Sequence, residues 1–243
     1  MIKFIDHKKM GRGIHGWLDS HFHFSFAEYC NPQNTNFGIL RVMNDDIVQS
    51  GTGFDTHPHE NMEIISYVVN GELTHRDSMG NARTLTRGQV QYMSAGTGVT
   101  HSEYNLGKEP LRFFQIWIFP DKKGYTPNYG DLQFNLEDRN DRWLPIAAFT
   151  ENKNSKTPIK IHADITIYAS IISTGKSLEF EVSKERQAYL ALIEGEARLQ
   201  GKDGASINLS MRDAAEIIGE SFSVTPASGH TPAHVLVVEM AQS

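Results

Sequence analysis

The sequence predicts an all-β protein built from two β-barrel domains. Short apolar runs recur along the chain and end at turn residues. Residues 64–69, rich in β-branched and aromatic side chains, stop at Asn70-Gly71, which indicates a β-hairpin because both turn residues tolerate positive φ. Residues 111–119 form a second dense apolar run, and short strands joined by regular turns are typical of a sandwich or barrel. Helical periodicity is weak, with one short candidate helix at residues 141–149.

An internal repeat supports the division into two domains. Residues 68–72 (VVNGE) resemble residues 192–196 (LIEGE), at an offset of 124. The same offset aligns Arg87-Gly88 with Met211-Arg212 and aligns residues 111–116 with residues 235–240. One offset that serves three features indicates duplication of one barrel unit, although unrelated β-hairpins also resemble one another. With a polar linker at 126–157, the sequence predicts domains at residues 1–130 and 131–243.

Charge and composition exclude several classes of protein. The chain has 243 residues and a net charge of −6. Its basic residues are scattered, and a phosphate-binding surface needs them clustered. No stretch approaches the roughly 18 apolar residues of a membrane span, and no signal-peptide core is seen. The single cysteine, Cys30, cannot form an internal disulfide and is expected to be a buried, inert thiol. We therefore expect a cytoplasmic protein that binds neither nucleic acid nor membrane.

Two short histidine motifs predict a metal site in the first domain. They are Thr56-His57-Pro58-His59 and His101-Ser102-Glu103. Side chains at positions i and i+2 of a strand project from the same face, so each motif offers two donor atoms. Two such pairs on neighbouring strands would surround one cation. Three imidazoles and a carboxylate suit Fe, Ni, Cu, Zn, Co or Mn and leave positions open for water or substrate. The alternative for the first motif is a pair of surface histidines in a turn.

The repeat predicts that the second domain lacks this ligand set. The offset of 124 takes His57 and His59 to Glu181 and Ser183, and it takes His101 and Glu103 to Thr225 and Ala227. The second domain is therefore expected to be a barrel without metal ligands.

The first domain resembles the pirin family, especially its bacterial members similar to quercetin 2,3-dioxygenase. The resemblance covers nearly all of residues 1–130, and over the second domain it rests on general pattern and length. The matching segments are Gly16-Trp17-Leu18-Asp19-Ser20, Phe24-Ser25-Phe26-Ala27, Arg41-Val42, Asn44-Asp45-Asp46, Thr56-His57-Pro58-His59, Asp77-Ser78-Met79-Gly80-Asn81, Met93-Ser94-Ala95-Gly96-Thr97-Gly98, His101-Ser102-Glu103-Tyr104-Asn105 and Gln115-Ile116-Trp117.

The resemblance implies a bicupin, in which two jelly-roll-like cupin barrels (double-stranded β-helices) lie face to face. It implies one metal ion, most often iron, in the N-terminal barrel, with His57, His59, His101 and Glu103 as ligands. Cu, Ni, Co, Mn or Zn could replace iron at such a site.

Glu63 also fits a general cupin pattern, as a ligand or as a partner that orients a ligating histidine. Pirin-like proteins instead use the position of Glu103, which we favour. A second His-x-His, at His21 and His23, has no partner pair. It is expected to belong to an aromatic plug near the barrel mouth.

The resemblance also implies a function. A quercetinase is an oxidoreductase in which the 3-hydroxyl of a flavonol binds the metal and O₂ opens the heterocycle with loss of carbon monoxide. By this resemblance, Glu103 would be the catalytic base that accepts the proton of the 3-hydroxyl. The alternative is a non-enzymatic, metal- or redox-sensing regulator that binds a protein partner. A third interpretation is a cupin that binds or isomerises another small molecule. A monomer is expected in each case.

Overall fold

The computed structural model describes residues 1–227, 229 and 231–242. It divides into two compact units. We call residues 10–134 with 158–163 the N-terminal barrel. The C-terminal barrel comprises residues 1–9, 135–157 and 164 onward. No helix among the described residues is long and apolar enough to cross a membrane.

The N-terminal barrel consists of strands with short connections. They are β2 (Gly11–Ile14), β3 (Leu18–Phe22), β4 (Leu40–Val48), β5 (Thr52–His59), β6 (Glu63–Asn70), β7 (Leu73–Asp77), β8 (Ala82–Leu85), β9 (Val90–Ser94), β10 (Val99–Asn105), β11 (Leu111–Ile118) and β12 (Asn128–Leu132); β14 (Lys160–Ile161) lies in its 158–163 segment. Its larger sheet has the order β12-β9-β6-β11-β4-β3-β2, and its smaller sheet has the order β5-β10-β7-β8.

The C-terminal barrel repeats this arrangement. Its strands are β1 (Ile2–Ile5), β13 (Leu144–Phe149), β15 (Ile165–Ile172), β16 (Leu178–Phe180), β17 (Arg186–Glu194), β18 (Ala197–Gly201), β19 (Ser206–Leu209), β20 (Ala214–Ile218), β21 (Phe222–Pro226) and β22 (Ala233–Ala241), with 3-10 helices at His7–Lys9 and Leu136–Arg139. The larger sheet contains the order β1-β20-β17-β22-β15-β13, and the smaller sheet has the order β16-β21-β18-β19.

The predicted all-β bicupin class is confirmed, and the two barrels share fine details. A β-bulge at Val69 has its counterpart at Ile193. The hairpin glycines that follow, Gly71 and Gly195, have φ values of 80° and 85°. A Cβ on Gly71 would lie 2.7 Å from the carbonyl oxygen of Pro110, and a Cβ on Gly195 would meet the carbonyl oxygen of Pro232 in the same way, so glycine is required at both turns. These matches support a duplicated unit, while the boundary at residue 130 stays a prediction.

Three expectations about individual segments are wrong. Residues 144–149 form β13, which pairs with β15, so tertiary pairing overrides the helical tendency of the alanines there. The proposed linker contains β12 as well as β13. The offset of 124 does not extend to β22. Val68 corresponds to Leu192, and these two residues pair with Phe113 and Val235, respectively. Phe113 therefore corresponds to Val235, and the offset of this strand is 122. The sequence also gave no sign that β1 pairs with β20 in the C-terminal barrel.

Candidate metal centre

Strands β5 and β10 bring three imidazoles together. His57 lies directly opposite His101 in the antiparallel register, and His59 lies opposite Val99. The ring centroids are 4.5 Å apart for His57 and His101, 4.8 Å for His57 and His59, and 4.9 Å for His59 and His101. One nitrogen of each ring lies within 4.8 Å of the others. The alternative of two unrelated surface histidines therefore does not describe this geometry.

The protonation and hydrogen bonding of these imidazoles suit metal ligands. Burial, followed by the neighbouring histidines, lowers the pKa of His59 to about 4 and that of His101 to about 3, so both rings are neutral near pH 7. Nδ1 of His57 donates to the carbonyl oxygen of Asp55 at 2.6 Å, which leaves Nε2 available. Among the described residues, Nε2 of His59 and both ring nitrogens of His101 are buried without a hydrogen-bond partner. Unpaired buried nitrogens that converge fit a bound divalent cation.

Glu103 is buried and held by three donors. Its carboxylate accepts hydrogen bonds from Ser66 Oγ at 2.9 Å, Gln91 Nε2 at 2.8 Å and Gln115 Nε2 at 2.6 Å. The donors come from β6, β9 and β11 of the larger sheet. The carboxylate therefore spans the barrel interior from β10 and has a fixed orientation.

The structure brings Glu103 to the histidine cluster through His101. An oxygen of Glu103 lies within 4.8 Å of the ring nitrogens of His75 and His101, while the set with His57 and His59 contains imidazoles alone. A bulge between His101 and Glu103 changes the register of β10 against β5. The role of Glu103 as a fourth ligand accordingly stays a prediction.

His75 is a member of this cluster that the sequence reasoning missed. It lies on β7 opposite Glu103 and is completely buried. Its ring stacks on Tyr129 with centroids 4.5 Å apart, and Nε2 is 3.1 Å from Asp77 Oδ2. A lone histidine carries no ligand spacing, but the pattern Leu73-Thr74-His75 places it on the inward face of the strand.

Comparisons with known proteins identify the family. The Pirin profile matches residues 4–118, and the profile of the quercetinase C-terminal cupin domain matches residues 149–240. A pirin-like protein from Caulobacter vibrioides is 40% identical over 220 residues, covering 89% of this chain and 92% of the relative. Quercetin 2,3-dioxygenase from Escherichia coli K12 is 37% identical over 219 residues, with 89% and 92% covered. This chain belongs to the pirin family.

Solved pirin structures agree with this assignment. YhhW from Escherichia coli superimposes with a TM-score of 0.89 at 33% identity, covering 100% of this chain and 99% of its own. A structure of the same bacterial pirin in complex with nickel(II) gives a TM-score of 0.88 at 33% identity, with 100% of both chains covered. Together with the histidine cluster, a metal-bound relative supports a divalent metal in this pirin.

Glu63, the other carboxylate considered from the sequence, has a different set of contacts. It accepts a hydrogen bond from Ser94 Oγ at 2.6 Å and lies 3.5 Å from Nδ1 of His162. The groupings of candidate ligands among the described residues do not include it. These contacts favour Glu103 over Glu63 as the carboxylate of the site.

The second His-x-His motif lies apart from the imidazole cluster. His21 and His23 are buried, and burial lowers the pKa of His23 to about 4. The groups of candidate ligands in the described chain contain neither ring. The rings of Phe22 and Phe26 pack with centroids 5.4 Å apart, and the aromatic plug stays a prediction. Cys30 is exposed, so the expectation of a buried thiol is wrong.

A cavity of about 430 Å³ opens beside the cluster. Its lining includes His57 and Glu103. Aromatic side chains form its walls: Trp17 meets Phe54 edge-on at 5.2 Å, and Phe26 meets Trp117 edge-on at 5.4 Å. Apolar, flat walls around a few polar groups are typical of a site for an aromatic small molecule.

Proposed function

We propose that this pirin is a metal-dependent dioxygenase that opens flavonol-like substrates, such as quercetin, with O₂. The cation would be held by His57, His59 and His101, with Glu103 as fourth ligand or as the base. Iron is the proposed metal, and nickel is the metal found in the related bacterial pirin.

One observation carries the proposal: a cluster of imidazoles, in which His59 and His101 have unpaired buried nitrogens, adjoins through His57 an aromatic-walled cavity that also reaches a buried carboxylate. A closed structural site would satisfy its metal with protein ligands alone. Here His57 belongs to both the cluster and the cavity lining. A molecule in the cavity would therefore contact the cation directly.

Glu103 is suited to receive a proton from such a molecule. When bound, the cation supplies Lewis acidity that makes a coordinated hydroxyl more acidic. Glu103 reaches the cavity, while Gln91 and Gln115 fix the plane of its carboxylate. It would accept the 3-hydroxyl proton of a flavonol, and the aromatic walls would hold the rings flat and exclude water.

The experiment compares two isosteric variants of buried carboxylates in the same barrel. Protein loaded in turn with Fe, Ni, Cu, Co or Mn is mixed with quercetin in air, and the loss of visible absorbance, O₂ uptake and CO release are followed. We expect Glu103→Gln to lower kcat at least about 100-fold, because it removes a general base. Glu63→Gln should retain most of the activity.

The same assay discriminates between the candidate functions. Equal activity in Glu103→Gln and wild type would contradict the role of this carboxylate. A fully loaded wild type that turns over no flavonol with any metal would contradict the dioxygenase and favour the metal-sensing regulator. Monomeric state and cytoplasmic location stay predictions.

A further inference from the structure

A row of polar side chains crosses the larger sheet of the N-terminal barrel and is called the polar rung here. It includes the three donors to Glu103 and continues onto one further strand, β4. Adjacent positions in the register place Gln91 beside Ser66, Ser66 beside Gln115, and Gln115 beside Asn44. The first three residues donate to Glu103. Asn44, the fourth, lines the cavity instead.

Asn44 has an acceptor that the protein leaves unused. The residue is 2% exposed, and in the described part of the chain its Oδ1 has no hydrogen-bond donor. A buried acceptor without a donor is unfavourable, because it has lost its hydrogen bonds to water. Such an atom beside a cavity is explained if a ligand supplies the missing hydrogen.

Asp46 lies two residues along β4 on the same face and lines the same cavity. Ser20, its register partner on β3, donates to Oδ1. Burial raises the pKa of Asp46 to about 8, so the second oxygen carries a proton near pH 7 and is a donor. The intervening Asp45 projects to the other face, where it forms a two-bond ion pair with Arg112.

The cavity therefore has an acceptor and a donor on one wall and aromatic rings on the others. A ligand that satisfies both must combine a flat apolar body with hydroxyl or oxo groups beyond the one that reaches the cation. An unsubstituted aromatic ligand would leave Asn44 unpaired, and sites built for hydroxyl groups discriminate against analogues that lack them.

We propose that Asn44 and Asp46 form a hydroxyl-recognition subsite, which selects polyhydroxylated planar aromatic ligands over their deoxygenated analogues. The proposal rests on the proposed function for the position of the ligand in the cavity. It adds which protein groups decide among ligands that share the same metal-binding end.

The test measures binding without turnover, so that it does not depend on catalysis. Protein loaded with redox-inert Zn is titrated without O₂ against quercetin and 3-hydroxyflavone, which share the metal-binding hydroxyl and ketone but differ in their other hydroxyl groups. We expect the wild type to bind quercetin more tightly than 3-hydroxyflavone, by about tenfold for each additional hydrogen bond that quercetin makes. Asn44→Leu should lower the affinity for quercetin about tenfold, because one of the two hydrogen bonds is lost, and should leave the affinity for 3-hydroxyflavone almost unchanged.

Two further variants guard against a general loss of structure. Asp46→Val removes the donor with little change in side-chain size and should reduce the same preference in part. Asn128→Leu changes an exposed asparagine outside the cavity lining and should preserve the preference.

Equal wild-type affinities, a preference that survives both cavity substitutions, or no binding of either flavonol would each overturn the subsite. A preserved preference without any turnover would instead contradict only the dioxygenase.

Discussion

The two barrels share a strand order but have opposite chemistry at their centres. In the N-terminal barrel, the central rung consists of Gln91, Ser66 and Gln115, which hold Glu103. The same rung of the C-terminal barrel, read from the pairing of β20, β17 and β22, consists of Ala215, Leu190 and Val237. The counterpart of Glu103 is Val224, because Val224 lies opposite Leu199 as Glu103 lies opposite His75.

The metal half-sites differ in the same way. His57 and His101 form a cross-strand pair, and the matching cross-strand pair of the C-terminal barrel is Phe180 and Phe222. The phenylalanine rings stack with centroids 5.3 Å apart and belong, with Val224, to the apolar core. One fold thus supports either a polar cluster beside a cavity or an apolar core. The difference lies in the side chains on a few inward positions.

The largest expected effect comes from placing a carboxylate in the apolar core of the C-terminal barrel. Val224→Glu would bury a charge where the C-terminal barrel offers none of the donors that hold Glu103. We expect the free energy of unfolding to fall by more than about 3 kcal/mol, measured by urea denaturation. Adding Val237→Gln should restore part of the loss. A cost below about 1 kcal/mol would show that the polar rung is not what makes a buried carboxylate tolerable.

A smaller effect is expected from breaking the ion pair on the face of β4 that points away from the cavity. Asp45 and Arg112 are joined by two hydrogen bonds of 2.8 Å. The C-terminal barrel has no equivalent pair, because Ala169 takes the place of Asp45 and His234 takes the place of Arg112. His234 contacts Glu194 instead. Arg112→Leu removes two charged hydrogen bonds from a buried carboxylate and should cost about 3 kcal/mol. The double variant with Asp45→Ala should recover at least half of that loss in thermal unfolding. If the double variant is as unstable as the single one, the cost comes from packing and not from charge.

The smallest effect concerns Asp46, whose counterpart in the C-terminal barrel, Ser170, does not ionise. The folded-state pKa of about 8 exceeds the usual 3.8, so between these values the unfolded chain releases a proton that the folded chain keeps. The stability of the metal-free protein should therefore decrease as pH rises through this window.

Asp46→Asn removes this decrease. Its stability relative to wild type should grow by roughly 2 to 3 kcal/mol between about pH 5 and pH 7, since each pH unit inside this window corresponds to about 1.4 kcal/mol. Replacement of the exposed Asp203 by Asn is the control and should show no such growth. A pH-independent difference for Asp46→Asn would contradict the raised pKa.

The sequence predicted the parts of this comparison that depend on local pattern. Alternation on a strand was enough to place His57 with His59 and His101 with Glu103 on inward faces, and the Gly71 and Gly195 turns were enough to reveal the duplication. The counterparts in the second barrel were wrong, because one offset was applied throughout. From Ala215 to Val224 the second barrel has three residues fewer than the first barrel has from Gln91 to Glu103. Phe222 and Val224, not Thr225 and Ala227, therefore correspond to His101 and Glu103.

Long-range pairing decided the remaining features. His75 joins the cluster because β7 pairs with β10, and its single occurrence carries no ligand spacing. The helix expected at residues 141–149 is a strand because β15 supplies its partner. The unpaired Oδ1 of Asn44 depends on which neighbours the register gives it, and no local motif encodes that register.

The most direct test of the account is the number of divalent cations bound per chain. Protein purified without an affinity tag is reconstituted with Ni(II) or, without O₂, with Fe(II), desalted, and measured by inductively coupled plasma mass spectrometry. We expect one ion per chain in the wild type and in Phe222→Leu, and almost none in the His57→Ala/His101→Ala double variant. A full equivalent retained by the double variant would contradict the assignment of the metal to the N-terminal barrel.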